Sequence, residues 1–375
     1  MSGHDHENHD DDDTGEFLLE DFAVPMVVTS GDPAGIGPEV THKAIKRLQR
    51  KHLILPERPL AVLGDAYLYA LSLEKASAMH TYHIVPAQDF IEDPGFMLHR
   101  LAPQGDEPWR PIFLDCGNKD ERAIRPGKPG KLSAERAATY LGACIEILEQ
   151  GVSDAVVTAP ICKDNMDARD FPFPGHTEMF AQACQVKHPV MMLVGGGLRV
   201  ALATIHVPLA KVPALLTRKL VQKTLEVTIA ACRDDFGVEH PRIAVCGLNP
   251  HAGENGRFGP EERKVIEPAI KACRGRSVTI DGPVSADSVF HFAKAGRYDA
   301  VVAMYHDQGL IPVKTLAFHS GVNMTLGLPI VRTSPDHGTA FDIAGKHEAD
   351  EGAMYEAFVQ AHEVSCRRAA QLSRS

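Results

Sequence analysis

The 375-residue chain is long enough for two domains or for one large α/β unit. Its 44% hydrophobic and 23% charged residues suit a globular protein with a sizeable core. The net charge of −10 is concentrated in one place. Met1 to Asp21 holds nine acidic residues and no Lys or Arg, so the remainder is near −1 (−10 plus 9). A nearly neutral body with no basic run interleaved with aromatics excludes charge-driven binding to nucleic acid or to a membrane surface.

No apolar run approaches the length of a bilayer span, and the N-terminus has neither a basic nor an apolar signal region. The eight cysteines (116, 144, 162, 184, 232, 246, 273 and 366) are scattered without a CxxC pair. They read as buried thiols in a reducing compartment, and the cytoplasm is the expected location.

Residues 1–22 are low-complexity and acidic, and read as a disordered tail. His4, His6 and His9 could bind a stray metal, but a solvated tail is the simpler reading. The body then alternates between strands and helices. Val24–Ser30 is a short β-branched run, read as a strand. Ile36–Arg50 reads as a helix with Pro38 in its first turn. Further strands are expected at Leu60–Asp65, Pro111–Cys116, Asp154–Ala159, Val190–Val194, Leu198–Val207, Arg242–Asn249 and Ala300–His306. Most are continuous apolar runs, as in strands covered on both faces. Helical periodicity covers Ser133–Gln150, Val212–Phe236, Pro260–Arg274 and Ala353–Ala370. Residues 92–131, rich in Pro, Gly and charge, give the weakest signal. The alternation predicts an α/β fold with a largely parallel sheet.

Several motifs could carry chemistry. Gly31-Asp32-Pro33-Ala34-Gly35-Ile36-Gly37-Pro38-Glu39 lies between a strand and a helix, where glycines admit a close backbone approach and a helix start favours an anion. A plain strand-to-helix turn would have the same pattern. Pro174-Gly175-His176-Thr177-Glu178 reads as a helix start whose His and Thr suit a phosphate or carboxylate, or simply a cap. His206, His251 and His306 each follow an apolar strand. Carboxyl ends of parallel strands share one crevice, so three imidazoles there would make a divalent-metal site if they converge. Asp307 adjoins His306, and Asp287 lies upstream. Lys314 and Arg332 sit in apolar runs. Taken singly, each reads as a cation snorkelling to the surface; the other reading is a cation held for an anionic ligand. Asp336–Lys346 is a Gly-rich polar loop.

Together these segments resemble the 4-hydroxythreonine-4-phosphate dehydrogenase family of vitamin B6 biosynthesis. The resemblance rests on GDPAGIGPE (31–39), PGHTE (174–178), LRVALATIHVPL (198–209), CGLNPHAGE (246–254), AMYHDQGLIPVK (303–314), GVNMTLGLP (321–329) and RTSPDHGTAFDIAGK (332–346), in family order, and covers roughly residues 24–370. GIGPE and HGTAFDIAGK also resemble motifs of the wider isocitrate and isopropylmalate dehydrogenase group. Two stretches depart from the family: the tail 1–22, which lies outside its core, and Thr158–Lys163, which belongs to a region that varies among members.

The resemblance implies an isocitrate/isopropylmalate dehydrogenase-like α/β fold, with largely parallel sheets in two subdomains and the active site in the cleft between them. Residues 23–375 would form a single unit of two interleaved α/β subdomains. It implies NAD or NADP as cofactor and one divalent metal (Zn, Mg or Co) on His206, His251 and His306. Substrate contacts would fall to His176, Thr177, Lys314, Asn323 and Arg332, with Asp287 and Asp307 as acids near the site. The cofactor would lie against His337, Gly338, Thr339 and Ala340. A homodimer with the active site at the subunit interface is expected. The implied reaction is oxidation of 4-(phosphooxy)-L-threonine to 2-amino-3-oxo-4-(phosphooxy)butanoate, which decarboxylates to 3-amino-2-oxopropyl phosphate. Threonate or erythronate 4-phosphate are alternative substrates, and a phosphate-ester metallohydrolase is the competing class. No general base is assigned.

Overall fold

In the computed structural model, residues 23–117, 123–163, 173 and 175–373 are described. The acidic segment 1–22 and Pro174 of the PGHTE motif lie outside the described residues. The strands are β1 (Met26–Thr29), β2 (Leu60–Gly64), β3 (His83–Pro86), β4 (Ile112–Asp115), β5 (Ala155–Thr158), β6 (Val190–Gly195), β7 (Leu198–Leu202), β8 (Arg242–Cys246), β9 (Thr279–Val284), β10 (Ala300–Ala303), β11 (Val322–Leu326) and β12 (Val331–Pro335). The helices are α1 (Gly37–Arg50), α2 (Ala66–Leu71), α3 (Ala87–Glu92), α4 (Pro94–Leu101), α5 (Lys131–Glu149), α6 (His176–Ala183), α7 (Val212–Leu215), α8 (Arg218–Asp234), α9 (Glu267–Cys273), α10 (Ala286–Lys294), α11 (His306–Ala317) and α12 (Gly352–Leu372).

Among the described residues, the strands form one twelve-stranded sheet in the order β3-β4-β2-β1-β5-β12-β11-β6-β7-β10-β8-β9. Two parallel blocks make up most of it. The first runs from β3 to β12 and the second from β7 to β9. Between them β11 and β6 pair antiparallel to each other and to their outer neighbours. The continuous apolar runs MVVT, LAVLG, AVVT and AVVA are buried along their whole lengths, as expected of strands covered on both faces. The expected largely parallel α/β fold is therefore present, with the parallel strands joined into one mixed sheet.

Several boundaries differ from the sequence reading. The strands read to Val207, Asn249 and His306 end at Leu202, Cys246 and Ala303. The chain beyond each leaves the ladder to build the site. The helix read over Val212–Phe236 breaks at Leu216-Thr217, where Thr217 caps α8 by accepting from Leu220 N. That read over Pro260–Arg274 begins with a π-type turn at Glu262–Ile266 before α9.

Neither β11 nor β12 is among the strands expected from the sequence, yet both alternate strictly. Val322, Met324, Val331 and Thr333 share one face, and α12 packs against these strands there, where Thr333 Oγ1 donates to Ala357 O. Asn323, Thr325, Arg332 and Ser334 share the other, with Asn323 opposite Ser334 and Thr325 opposite Arg332. The centre of the sheet thus presents a polar surface to the site. Among the described residues, no helix is long and apolar enough to cross a membrane. All eight cysteines are free thiols. Cys144, Cys232 and Cys246 are buried; the other five are not, and Cys366 is exposed, which corrects the uniformly buried reading.

Candidate active site

The GDPAGIGPE motif settles into a structural role. Gly31 and Gly37 are hemmed in by backbone, since a Cβ at Gly31 would meet Pro160 O at 2.4 Å and one at Gly37 would meet Ser30 O at 2.2 Å. Gly31 also holds φ +76, which favours glycine. The motif docks the Gly-rich loop 336–346 and the residues after it. Ile36 N donates to Thr339 O, Glu39 Oε1 accepts from Ala349 N, and Lys43, paired with Glu39 at 2.6 Å, donates to His347 O and Ala349 O. Two distant family-like motifs are therefore one contact surface.

That loop edges a cavity of about 330 Å³ lined by Thr158, His176, Thr177, Glu178, His206, His306, Lys314, Asn323, Arg332, Ser334, Asp336, His337 and Gly338, among others. The side chains arrive from several elements. Thr158 ends β5, His176 and Thr177 open α6, His306 opens α11, and Asn323 and Arg332 project from the sheet centre.

Arg332 is 3% exposed, so the snorkelling reading is wrong for it. Strand alternation turns its side chain onto the cavity face in mid-sheet. Its partners are neutral: Nη2 donates to Thr158 Oγ1 at 2.7 Å and Nη1 to Thr325 Oγ1 at 3.2 Å. No ion pair reaches it among the described residues, and its Nε is shielded without a partner. Burial pulls the guanidinium down to about 10, with Glu178 opposing, so it is still charged at neutral pH. A buried cation without a counter-ion is costly, and an anionic ligand removes that cost. His176 Nε2, Asn323 Oδ1 and His337 Nε2 are shielded and unpartnered on the same cavity. Burial, reinforced by the charges of Arg332 and Lys163, holds His176 well below its ordinary pKa. It is a neutral ring that can hydrogen-bond an oxygen.

Lys314 is half-exposed. It reaches across to Asp336, with Nζ 3.4 Å from Oδ2 and a hydrogen bond to Asp336 O at 3.2 Å. Burial raises the Asp336 carboxyl, against the lowering influence of Lys314.

The three histidines follow β7, β8 and β10, which are adjacent and parallel in the order β7-β10-β8. The inference that they follow strands ending at one edge is correct. Two of them meet: the rings of His206 and His306 lie 5.6 Å apart, centroid to centroid. His306 Nδ1 is held by Asp307 Oδ1 at 2.8 Å, while Asp307 itself faces solvent. His206 sits below its ordinary pKa through burial and the neighbouring charge of Lys163. His251 is exposed and does not line the cavity. It starts a run of left-handed backbone, with φ of 52, 52, 80, 42 and 57 from His251 to Asn255. Buried Glu262 braces the preceding strand exit, accepting from Leu248 N at 2.9 Å and Asn249 N at 2.8 Å. Asp287 is exposed in the first turn of α10 and is also off the cavity. Of the loop residues, His337 and Gly338 line the cavity, while Thr339 and Ala340 pack behind it.

The sequence reading did not single out Thr158, Glu178, Ser334 or Asp336, all of which line the cavity. For Ser334, the period-2 alternation of VRTSP was the available signal.

The family model described as "Pyridoxal phosphate biosynthetic protein PdxA" matches residues 62–361. A 4-hydroxythreonine-4-phosphate dehydrogenase of Maricaulis maris is 42% identical over 350 residues, which are 92% of this chain and 98% of the relative. A crystal structure of a 4-hydroxythreonine-4-phosphate dehydrogenase from Burkholderia phymatum is 36% identical with a TM-score of 0.70, covering 92% of this chain and 98% of that one. A terephthalate 1,2-cis-dihydrodiol dehydrogenase from Burkholderia xenovorans is more distant, at 26% identity and a TM-score of 0.59 over 91% and 98%. By its sequence over nearly its whole length, and by a fold shared with solved members, the chain is an enzyme belonging to the PdxA family, that of the 4-hydroxythreonine-4-phosphate dehydrogenases.

Proposed function

We propose that this chain oxidises the C3 hydroxyl of 4-(phosphooxy)-L-threonine with NAD or NADP. The product is 2-amino-3-oxo-4-(phosphooxy)butanoate, a β-keto acid that loses CO₂ to give 3-amino-2-oxopropyl phosphate. The observation that carries this reading is Arg332, a buried cation with only neutral partners facing a cavity of substrate size. A doubly charged phosphate or a carboxylate supplies the missing counter-ion. His176 and Asn323 stand beside it with shielded, unpartnered atoms that a bound oxyanion or hydroxyl would satisfy. Lys314 offers a second cation at the cavity edge, where Asp336 now shares it.

The donor set fits a divalent ion that takes imidazole, such as Zn or Co, at His206 and His306. Both are imidazoles at one cavity edge, and the depressed pKa of His206 keeps its ring in the lone-pair form. Such an ion would lower the pKa of a bound substrate hydroxyl. A nicotinamide would supply the hydride acceptor, with His337 and Gly338 on the cavity side of its loop.

His251 is the third ligand in this reading, and it comes from a second copy of the chain. It does not line its own chain's cavity, and it stands exposed on a strained turn. Exposed apolar side chains flank the two cavity imidazoles in sequence: Leu209 is 67% exposed and Ile311 64%. Burying them between two copies would make the homodimer that completes the site.

The test is to supply the phosphorylated hydroxyamino acid, a divalent metal and NAD or NADP, and to follow the absorbance of the reduced cofactor. Threonate and erythronate 4-phosphate serve as rival substrates. Cofactor reduction is expected with the amino acid phosphate. Release of inorganic phosphate without cofactor reduction would instead identify a phosphate-ester hydrolase.

A further inference from the structure

Away from the cavity, one surface cluster joins three metal-ligating side chains from two elements. Glu57 lies in the loop between α1 and β2, and His362 and Cys366 lie on α12. His362 Nε2 is 2.9 Å from Glu57 Oε2, and Cys366 Sγ is 3.8 Å from the ring nitrogens of His362. One ligand atom from each residue lies within 4.8 Å of the other two.

We propose that Glu57, His362 and Cys366 form a second divalent-metal site, selective for a borderline-soft ion such as Zn²⁺. It is separate from the proposed catalytic ion.

His362 and Cys366 are four residues apart on one helix, so their side chains rise from the same face over one turn. The third donor comes from outside the helix, as a chelate that ties two elements together requires. A tetrahedral zinc with bonds of about 2.0–2.3 Å holds its donors about 3.3–3.7 Å apart. The distances of 2.9 and 3.8 Å fall on either side of that range, so small rotamer shifts would bring all three onto one ion. Three protein ligands leave a fourth position for water. The thiolate disfavours Mg²⁺, which prefers oxygen donors, and favours Zn²⁺ or Co²⁺.

The site sits where α12 is already fastened. Arg58, next to Glu57, donates to Asp154 Oδ1 and to Ser365 Oγ at 2.7 Å each. An ion on Glu57, His362 and Cys366 would extend that fastening toward the solvent. It would strengthen the hold of α12 on β11 and β12, whose opposite face carries Arg332 and Asn323.

The experiment titrates the full chain with Co²⁺ and reads the near-ultraviolet thiolate-to-cobalt charge-transfer band. No cysteine lines the catalytic cavity among the described residues, and residues 1–22 contain none, so metal bound at either place lacks the band. A band saturating at one Co²⁺ per chain is expected. Zn²⁺ should displace it. It should vanish in Cys366→Ser and survive in a His206→Ala/His306→Ala double variant. In His362→Gln and Glu57→Gln, affinity should fall at least by the roughly 10–100-fold that losing even an outer-shell partner costs. Zn²⁺ should also raise the Tm of wild type more than that of Cys366→Ser. The absence of a thiolate band in wild type, or its persistence unchanged in Cys366→Ser, would overturn the site. Neither result bears on the catalytic reading.

Discussion

Arg332 and Thr158 meet at 2.7 Å across two parallel strands in the middle of the sheet, and the contact is a cation held by a neutral hydroxyl. Its partner Thr325 is likewise uncharged. The fold therefore spends stability to keep a guanidinium where an anion can be gripped. Replacing Arg332 with Met should raise Tm while lowering kcat/KM by roughly ten- to a hundredfold, about 1.5–3 kcal/mol for a charge-assisted contact. Comparing phosphorylated with dephosphorylated substrate in Arg332→Met and Lys314→Ala assigns the phosphate. An unchanged preference in both variants would remove either cation from that role.

A site shared between two copies predicts complementation. His251→Ala and His306→Ala should each be inactive alone. Unfolded together and refolded as a mixture, they should regain about a quarter of wild-type activity, because half the dimers are mixed and each holds one intact site. No recovery, with mixed dimers demonstrated by mass, would place His251 in its own chain's site or outside catalysis.

Glu262 is 3% exposed, and its carboxylate accepts from Leu248 N, Asn249 N and Asn249 Nδ2. It supports a turn in which each non-glycine left-handed residue costs roughly 1–2 kcal/mol. Glu262→Ala should destabilise the chain by roughly 2–4 kcal/mol. Glu262→Gln should keep both main-chain bonds, because its amide oxygen can still accept them. It would set one NH₂ group against that of Asn249, for a loss of about 1 kcal/mol. Urea unfolding of both variants measures the difference, and equal losses would contradict the bracing role.

His42 is buried on α1 with Nδ1 against Tyr82 Oη at 2.9 Å. Burial, and then the charge of Lys46, lowers its pKa to about 4. Unfolded, a histidine titrates near 6.5, so between pH 6.5 and 4 the unfolded chain binds a proton that the folded chain refuses. Stability should fall as pH drops through that window, by up to about 3 kcal/mol, and the contribution is fully present above pH 6.5. In His42→Gln the urea midpoint should change less between pH 7 and pH 5 than in wild type. An identical pH dependence in the two proteins would show that another group is responsible.

Local pattern alone pointed to an α/β fold with a largely parallel sheet, and the family motifs to its dehydrogenase-like form. Continuous apolar runs such as AVVT and AVVA suit strands covered on both faces, and helical periodicity between them implies parallel connections. The family was legible because whole motifs such as YHDQG and HGTAFDIAGK stand in order. That His206, His251 and His306 follow strands was legible too, but whether their rings meet was not. Convergence depends on β7, β10 and β8 being neighbours and on the path of the chain past each strand, and both are set by long-range pairing. For the same reason Arg332 looked like a snorkelling cation. Its sequence neighbours are apolar, whereas the groups that decide its state, Thr158 and Thr325, are brought to it by the sheet. The GDPAGIGPE motif could be read as a ligand loop or as a turn. Only the tertiary structure showed that it grips residues 339–349, because a glycine's lack of a Cβ says that something comes close without saying what.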